Sequence, residues 1–198
     1  LCQAGCLQAS PASELTLARE PRRLPKPVPS VRQMERFIAL PDIRTVLGFR
    51  DRVIMEVFYS TGIRLAELIN LRVEDIDMDH WFLMIRNGKG RKDRVVPLGR
   101  VAGWFLKAYL STIRGRLRCR TKPDTRHVFL TSRGGRYSGR SLQERLEWYG
   151  ERLPGIHISP HTFRHAFATH MVQNHANIRH VQEMLGHAKL ETTQRYIA

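Results

Sequence analysis

Apolar side chains recur every three to four residues along much of the chain, which is the spacing of amphipathic helices. Val53, Ile54, Val57 and Phe58 form one such stripe and predict a core-facing helix over residues 50–60. Further helices are predicted over residues 30–40, from about residue 63 to 69, over 101–113 and 141–152, and through the last third of the chain to a stop at Gly186.

Two runs rich in β-branched and other apolar residues, 81–86 and 94–98, predict the strands of an antiparallel hairpin. The Asn-Gly-Lys-Gly-Arg-Lys-Asp segment between them carries a turn signal, because Asn-Gly favours tight hairpin turns. Residues 128–130 predict one more short strand. The predicted fold is therefore mainly α with a small antiparallel β-sheet, an α+β architecture.

Charge narrows the range of partners. The chain has 33 Lys and Arg against 18 Asp and Glu, a net charge of +15. Such a surplus favours a polyanion, because cations that neutralise phosphates release condensed counterions. An anionic membrane is the competing partner, but no apolar run approaches the roughly 20 residues that span a bilayer. We therefore expect nucleic acid and no membrane.

Prolines and basic residues dominate residues 1–30, so no regular structure is predicted there. We interpret this segment as a basic linker, or the remnant of an upstream domain, in front of one domain over residues 31–198. Arg22, Arg23 and Lys26 make it a candidate strap around DNA, an interpretation that is compatible with a solvated tether. Because the chain begins with Leu, we expect it to be part of a longer protein.

Cys2, Cys6 and Cys119 form an odd set that does not support a disulfide framework. A metal site at Cys2 and Cys6 lacks a second cysteine pair, so incidental thiols are the favoured interpretation. The first residues also lack the basic start and apolar stretch of a signal peptide. A reducing, cytoplasmic location is therefore expected.

The segment from Ser159 predicts a helix N-terminus that binds an anion. Ser159 suits the cap and Pro160 the first turn, and His161 and Arg164 then share one face. Phosphate is favoured there by the helix dipole. A zinc site at His161 and His165 lacks a third ligand. Capping or core roles are expected for the other histidines of the region, His165, His170, His175 and His180.

Arg64 follows the turn at Thr61-Gly62 and has Glu67 three residues later. A guanidinium can grip two phosphate oxygens, and a neighbouring carboxylate can fix its rotamer. Taken singly, such a pair is more often a surface ion pair of little value.

Lys89 lies in the predicted hairpin among three more cations, Arg91, Lys92 and Arg94. A generic basic loop would explain them, but such a loop can also enter a DNA groove, where a lysine could protonate a departing oxygen. Near the C-terminus, Tyr196 follows Leu185-Gly186-His187. A phenol of ordinary pKa near 10 is a poor nucleophile without nearby cations or a base.

Together these segments resemble the catalytic domain of tyrosine recombinases, especially Xer-type and related phage, transposon and integron integrases. The matching stretches are TGIRLAEL (61–68), GKGRKDRVVPL (88–98), HTFRHAFATH (161–170) and LGHAKLETTQRYIA (185–198), in the order the family has them. The similarity extends from about residue 21 to the end.

The resemblance implies that Arg64 and Arg164 clamp the scissile phosphate and stabilise its pentacoordinate transition state. His161 would hydrogen-bond the phosphate and help to take a proton, and His187 would add a hydrogen bond. Glu67 matches the acidic position that supports the first arginine.

By the same resemblance, Tyr196 would attack to give a 3′-phosphotyrosyl intermediate, and Lys89 would protonate the leaving 5′-oxygen. Neither ATP nor a metal or other cofactor is implied, because the covalent intermediate conserves the bond energy. The partner would be double-stranded DNA. A homo-tetramer on DNA is expected for the full-length parent and a monomer for the isolated chain.

Family members carry an N-terminal core-binding domain and a C-terminal segment that docks on a neighbouring protomer. We expect this chain to lack both, to bind DNA weakly and to cleave it poorly. Two alternatives remain open: a type IB topoisomerase-like activity, and a non-catalytic DNA-binding remnant of an integrase. The sequence also leaves open whether the parent serves a mobile element or a chromosome, and what the basic run at 114–122 does.

Overall fold

The computed structural model describes residues 28–86, 93–118, 126–155 and 158–186. Within these ranges the chain is mainly helical and carries one small antiparallel sheet, as predicted. The α-helices are α1 (Val31–Ile38), α2 (Val46–Thr61), α3 (Leu65–Asn70), α4 (Arg100–Ala108), α5 (Arg114–Arg118), α6 (Gly139–Gly150), α7 (Pro160–Gln173) and α8 (Ile178–Leu185).

Helix α2 is the centre of the core and packs against α4 and α7. Its predicted apolar stripe is buried, with Val53, Ile54, Val57 and Phe58 at most 1% exposed. The Phe58 ring stacks on Phe163 of α7 at a centroid distance of 5.6 Å. The helix begins four residues before the predicted start, because the Thr45 hydroxyl caps it by accepting from the Gly48 N–H.

Three strands form the sheet in the order β1 (Ile76–Asp77), β2 (Phe82–Ile85), β3 (Arg94–Pro97). Both pairings are antiparallel, and Leu83 of β2 lies opposite Val96 of β3. These inward residues are fully buried, as the alternation along a strand requires. The predicted hairpin is confirmed in its two strands, and its turn at 87–92 lies outside the described residues.

Two sequence predictions are corrected here. Residues 128–130 do not form a regular strand: isolated bridges join His127 to Arg72 and Leu130 to Arg136 on either side. The helix predicted to end at 113 continues through a π-helical turn (Tyr109–Ile113) into α5. This extension is stabilised because the buried Arg114 guanidinium donates to the His127 carbonyl at 2.8 Å.

Among the described residues, no helix is both long and apolar enough to cross a bilayer.

Candidate active site

The C-terminal end of α8 forms the centre of the site. Helix α8 stops at Gly186, which adopts a left-handed conformation with φ +64°, as its predicted role as a helix stop requires. Its N–H bonds the carbonyls of Gln182 and Glu183. The carbonyls that follow carry the partial negative charge of the helix end, which attracts cationic donors.

Three arginines from distant parts of the chain supply those donors to three consecutive carbonyls. Each guanidinium therefore interacts with the negative end of the same helix dipole. The bonds are Arg94 Nε to the Met184 carbonyl at 2.7 Å, Arg164 Nη2 to the Leu185 carbonyl at 2.6 Å and Arg64 Nη2 to the Gly186 carbonyl at 3.2 Å.

Arg164 also ties α8 to the central helix. It is 7% exposed, and its Nη1 donates at 2.7 Å to the carbonyl of Gly62, the left-handed residue that ends α2. Glycine is required there, because a Cβ on Gly62 would lie 2.4 Å from the Phe167 ring. The Arg164 guanidinium is thus held between the ends of two helices.

Arg64 and Glu67 form the predicted pair at the start of α3. The Arg64 N–H donates to Glu67 Oε2 at 2.8 Å and its Nη1 to Oε1 at 2.9 Å, so the carboxylate also caps the helix. The Arg64 side chain stays 30% exposed, whereas Glu67 is 8% exposed. Burial acts to raise the pKa of Glu67. Hydrogen bonds from Arg94 and then Arg64 outweigh it, so the pKa lies below its ordinary value.

The N-terminus of α7 has the predicted cap. The Ser159 hydroxyl accepts from the Thr162 N–H, the Thr162 hydroxyl accepts from the Ser159 N–H, and Pro160 occupies the first turn. His161 is exposed beside this N-terminus, and Arg164 is buried one turn further along.

The other histidines of the region divide into two groups. His170 is 8% exposed and its Nδ1 lies 2.8 Å from the Tyr59 hydroxyl, which confirms the core role predicted for it. The remaining three lie on the surface: His165, His175 and His180.

Several predicted site residues lie outside the described residues, so their predicted roles stay predictions. They are Arg22, Arg23, Lys26, Lys89, Arg91, Lys92, His187 and Tyr196. The described part nevertheless places Arg64, Glu67 and Arg164 around the helix end that immediately precedes His187 in sequence.

Sequence reasoning missed the inward position of Arg94. The side chain is 11% exposed and bonds Glu67. The signal was available, because strand alternation places Arg94 on the same side as the buried Val96. No sequence pattern marks the α8 carbonyls as the acceptors.

Known proteins resemble this chain in sequence and in fold. The model of the phage integrase family matches residues 30–198. The chain belongs to this family. Tyrosine recombinase XerC of Oceanobacillus iheyensis is 39% identical over 196 residues, which cover 97% of this chain and 63% of that protein. The chain thus spans less than two thirds of the length of this relative.

Solved structures of Xer recombinases share the fold. The crystal structure of XerA recombinase superimposes with a TM-score of 0.77 and 30% identity, covering 89% of this chain and 61% of XerA. XerH, solved as a pre-cleavage complex with its difH substrate, gives a TM-score of 0.72 and 25% identity, covering 87% of this chain and 50% of XerH. The mainly helical architecture with one small sheet is therefore that of recombinase structures.

Proposed function

We propose that this chain is the catalytic portion of a tyrosine recombinase that cleaves and rejoins double-stranded DNA at specific sites. The observation that carries the proposal is the convergence of Arg64 and Arg164 on adjacent carbonyls of the helix end before His187. Two guanidiniums held side by side suit a phosphodiester, whose two free oxygens can each accept hydrogen bonds.

Arg64 and Arg164 bind the scissile phosphate and stabilise the charge of its pentacoordinate transition state. Preorganisation makes this effective, because Glu67 and the helix-end carbonyls already fix the cations before DNA arrives. The 30% exposed side chain of Arg64 leaves it accessible to a phosphate oxygen.

The remaining chemistry is assigned to residues around this clamp. The Tyr196 oxygen attacks phosphorus, its proton passes to His161, and the bond from phosphorus to the 5′-oxygen breaks. Lys89 protonates that oxygen, and His187 hydrogen-bonds the phosphate. A 5′-hydroxyl then attacks the 3′-phosphotyrosine and reverses the steps. The linkage keeps its bond energy, so no ATP, metal or other cofactor is invoked.

We assign the catalytic domain to residues 31–198 and a basic linker to residues 1–30. Arg22, Arg23, Lys26, Arg91 and Lys92 are assigned to DNA contacts. The difH complex of the relative XerH supports double-stranded DNA as the partner. The longer parent would act as a homo-tetramer on DNA in the cytoplasm, with this portion alone a monomer.

Covalent trapping tests the proposal. The chain and a Tyr196→Phe variant are incubated with nicked suicide duplexes carrying candidate sites from the source genome, and adducts are resolved on a denaturing gel. We expect an adduct with the chain and none with the variant.

The trapping result separates the alternatives. DNA binding without an adduct contradicts cleavage by this chain and favours a non-catalytic remnant. An adduct accompanied by relaxation of supercoiled plasmid, without recombination products, favours a type IB topoisomerase-like activity. Recombined products from paired sites support the recombinase.

A further inference from the structure

Arg94 begins β3 with its side chain on the inner side of the sheet. It lies opposite Ile85 in the register, and both Ile85 and Val96, two residues along the strand, are buried. The Arg94 side chain itself is only 11% exposed. A buried guanidinium requires partners for its charge and donors.

Glu67 is the first of these partners. Arg94 Nη1 donates to Glu67 Oε1 at 2.9 Å and Nη2 donates to Oε2 at 2.8 Å, so the two side chains form a bidentate salt bridge. The same two oxygens accept from the Nη1 and backbone N–H of Arg64. One carboxylate therefore sets the relative position of two arginines, and Arg64 depends on a group that Arg94 holds.

The end of α8 is the second partner. Arg94 Nε donates to the Met184 carbonyl, and the guanidinium lies against Gly186 so closely that a Cβ there would be 3.2 Å from Cζ. Arg94 thus occupies the space that a side chain at position 186 would need. Through this residue β3, α3 and α8 are joined at one point.

We propose that Arg94 is a positioning residue for DNA strand cleavage, an inference that rests on the proposed function. It holds Glu67, and through Glu67 it holds Arg64. It also fixes the strand that follows Lys89 relative to the helix end that precedes His187. Arg94 does not contact DNA, which distinguishes it from Arg91 and Lys92 of the same basic segment.

Two variants of Arg94 separate positioning from DNA binding. We expect Arg94→Met to slow single-turnover adduct formation at saturating DNA by about 10- to 100-fold. This is the size of the loss seen in metalloenzymes when a group that orients a metal ligand is removed. The DNA dissociation constant should stay within about twofold, since no phosphate contact is lost. Arg94→Lys keeps the charge but cannot form the bidentate contact of a guanidinium, so cleavage should remain slow.

Matched variants calibrate both measurements. Arg140→Met removes an arginine that is 90% exposed on α6 and should leave cleavage and affinity unchanged. Lys92→Met should weaken binding and reduce the salt dependence of affinity by about one phosphate contact. If Arg94→Met behaves like Lys92→Met and cleaves normally at saturating DNA, Arg94 contacts DNA and the proposal is overturned.

A double variant distinguishes positioning from a merely structural role. Arg94→Met leaves the buried Glu67 carboxylate with Arg64 as its ion-pair partner. Adding Glu67→Gln removes this buried charge and should recover stability against urea. Cleavage should stay slow, because the carboxylate that positions Arg64 is gone. Recovery of the cleavage rate together with stability would show that Arg94 only stabilises the fold.

A further measurement keeps this inference separate from the proposed function. If the wild-type chain forms no Tyr196-dependent adduct, the proposed function fails. The positioning of Arg64 by Arg94 is then tested by nitrogen-15 relaxation of the Arg64 guanidinium. Arg94→Met should increase the mobility of that group while Arg140→Met does not. Unchanged Arg64 mobility in Arg94→Met overturns the positioning role.

Discussion

Two glycines shape the immediate surroundings of the arginines. Gly62 and Gly186 end their helices at φ +60° and +64°, a conformation that other residues adopt only with strain. Their carbonyls then accept from Arg164 and Arg64. The turn that ends each helix thus also directs a carbonyl at a cation of the site.

Gly62→Ala should destabilise the chain by about 2–4 kcal/mol through backbone strain and overpacking. Its new Cβ would lie 2.4 Å from Phe167 Cδ1 and 2.9 Å from Leu185 Cδ2. Urea unfolding followed by circular dichroism measures the change. Gly115→Ala is the control, because a Cβ there meets nothing within 4 Å and a helical alanine is favourable. Equal losses in both variants would contradict the steric explanation.

A buried charge cluster joins α2 to α6. Asp51 is 2% exposed and accepts from the Nε and Nη2 of Arg50, from Arg145 Nε and from the Tyr149 hydroxyl. Arg50 is 3% exposed and also donates to the Leu130 carbonyl. The cluster therefore fixes α6 and the segment around Leu130 against the helix that carries Gly62.

Asp51→Ala should cost about 3–5 kcal/mol, because it leaves the Arg50 guanidinium buried without a counter-charge. Thermal and urea unfolding measure this loss. Glu144→Ala is the comparison, since it breaks an exposed pair with Arg140 and should cost much less. A loss at Asp51 no larger than that at Glu144 would mean that the cluster adds nothing to the packing of α6.

At the scale of the whole molecule, protonation of His170 is expected to reduce stability on mild acidification. His170 of α7 bonds the Tyr59 hydroxyl of α2 and the carbonyl of Pro29, so it links three parts of the chain. Burial lowers its pKa, although the Pro29 carbonyl acts in the opposite direction. Since the unfolded histidine has the higher pKa, near 6.5, protonation favours unfolding. The stabilisation contributed by neutral His170 is therefore fully present above about pH 6.5, and it is lost as the pH falls toward the pKa of His170 in the folded state.

His170→Gln should therefore flatten the dependence of unfolding free energy on pH between 7.5 and 5.5. A single group changes this slope by at most about 1.4 kcal/mol per pH unit. His127 contributes with the same sign, because burial lowers its pKa too. His80→Gln should act oppositely, since the hydrogen bond to Asp77 raises the pKa of His80. Urea titrations at several pH values test this, and an unchanged slope in His170→Gln would refute it.

The predictable features of the site depend on neighbours within a few residues. The Ser159 cap, the Arg64–Glu67 pair and the Gly186 stop each follow from interactions one helical turn away. Side-chain alternation in β3 would also have placed Arg94 inward. The strand predicted at 128–130 failed because bridges to Arg72 and Arg136 replace a continuous ladder, and those bridges depend on packing.

Local chemistry in this chain specifies where helices begin and stop and which residue types could bind a phosphate. It does not specify that the carbonyls of residues 184–186 accept hydrogen bonds from the arginines at positions 64, 94 and 164. The Arg164–Gly62 bond alone spans 102 residues. Contacts of that range form only when the central helix, the sheet and α8 pack together, because packing brings donors that are distant in sequence to the carbonyls at the end of α8.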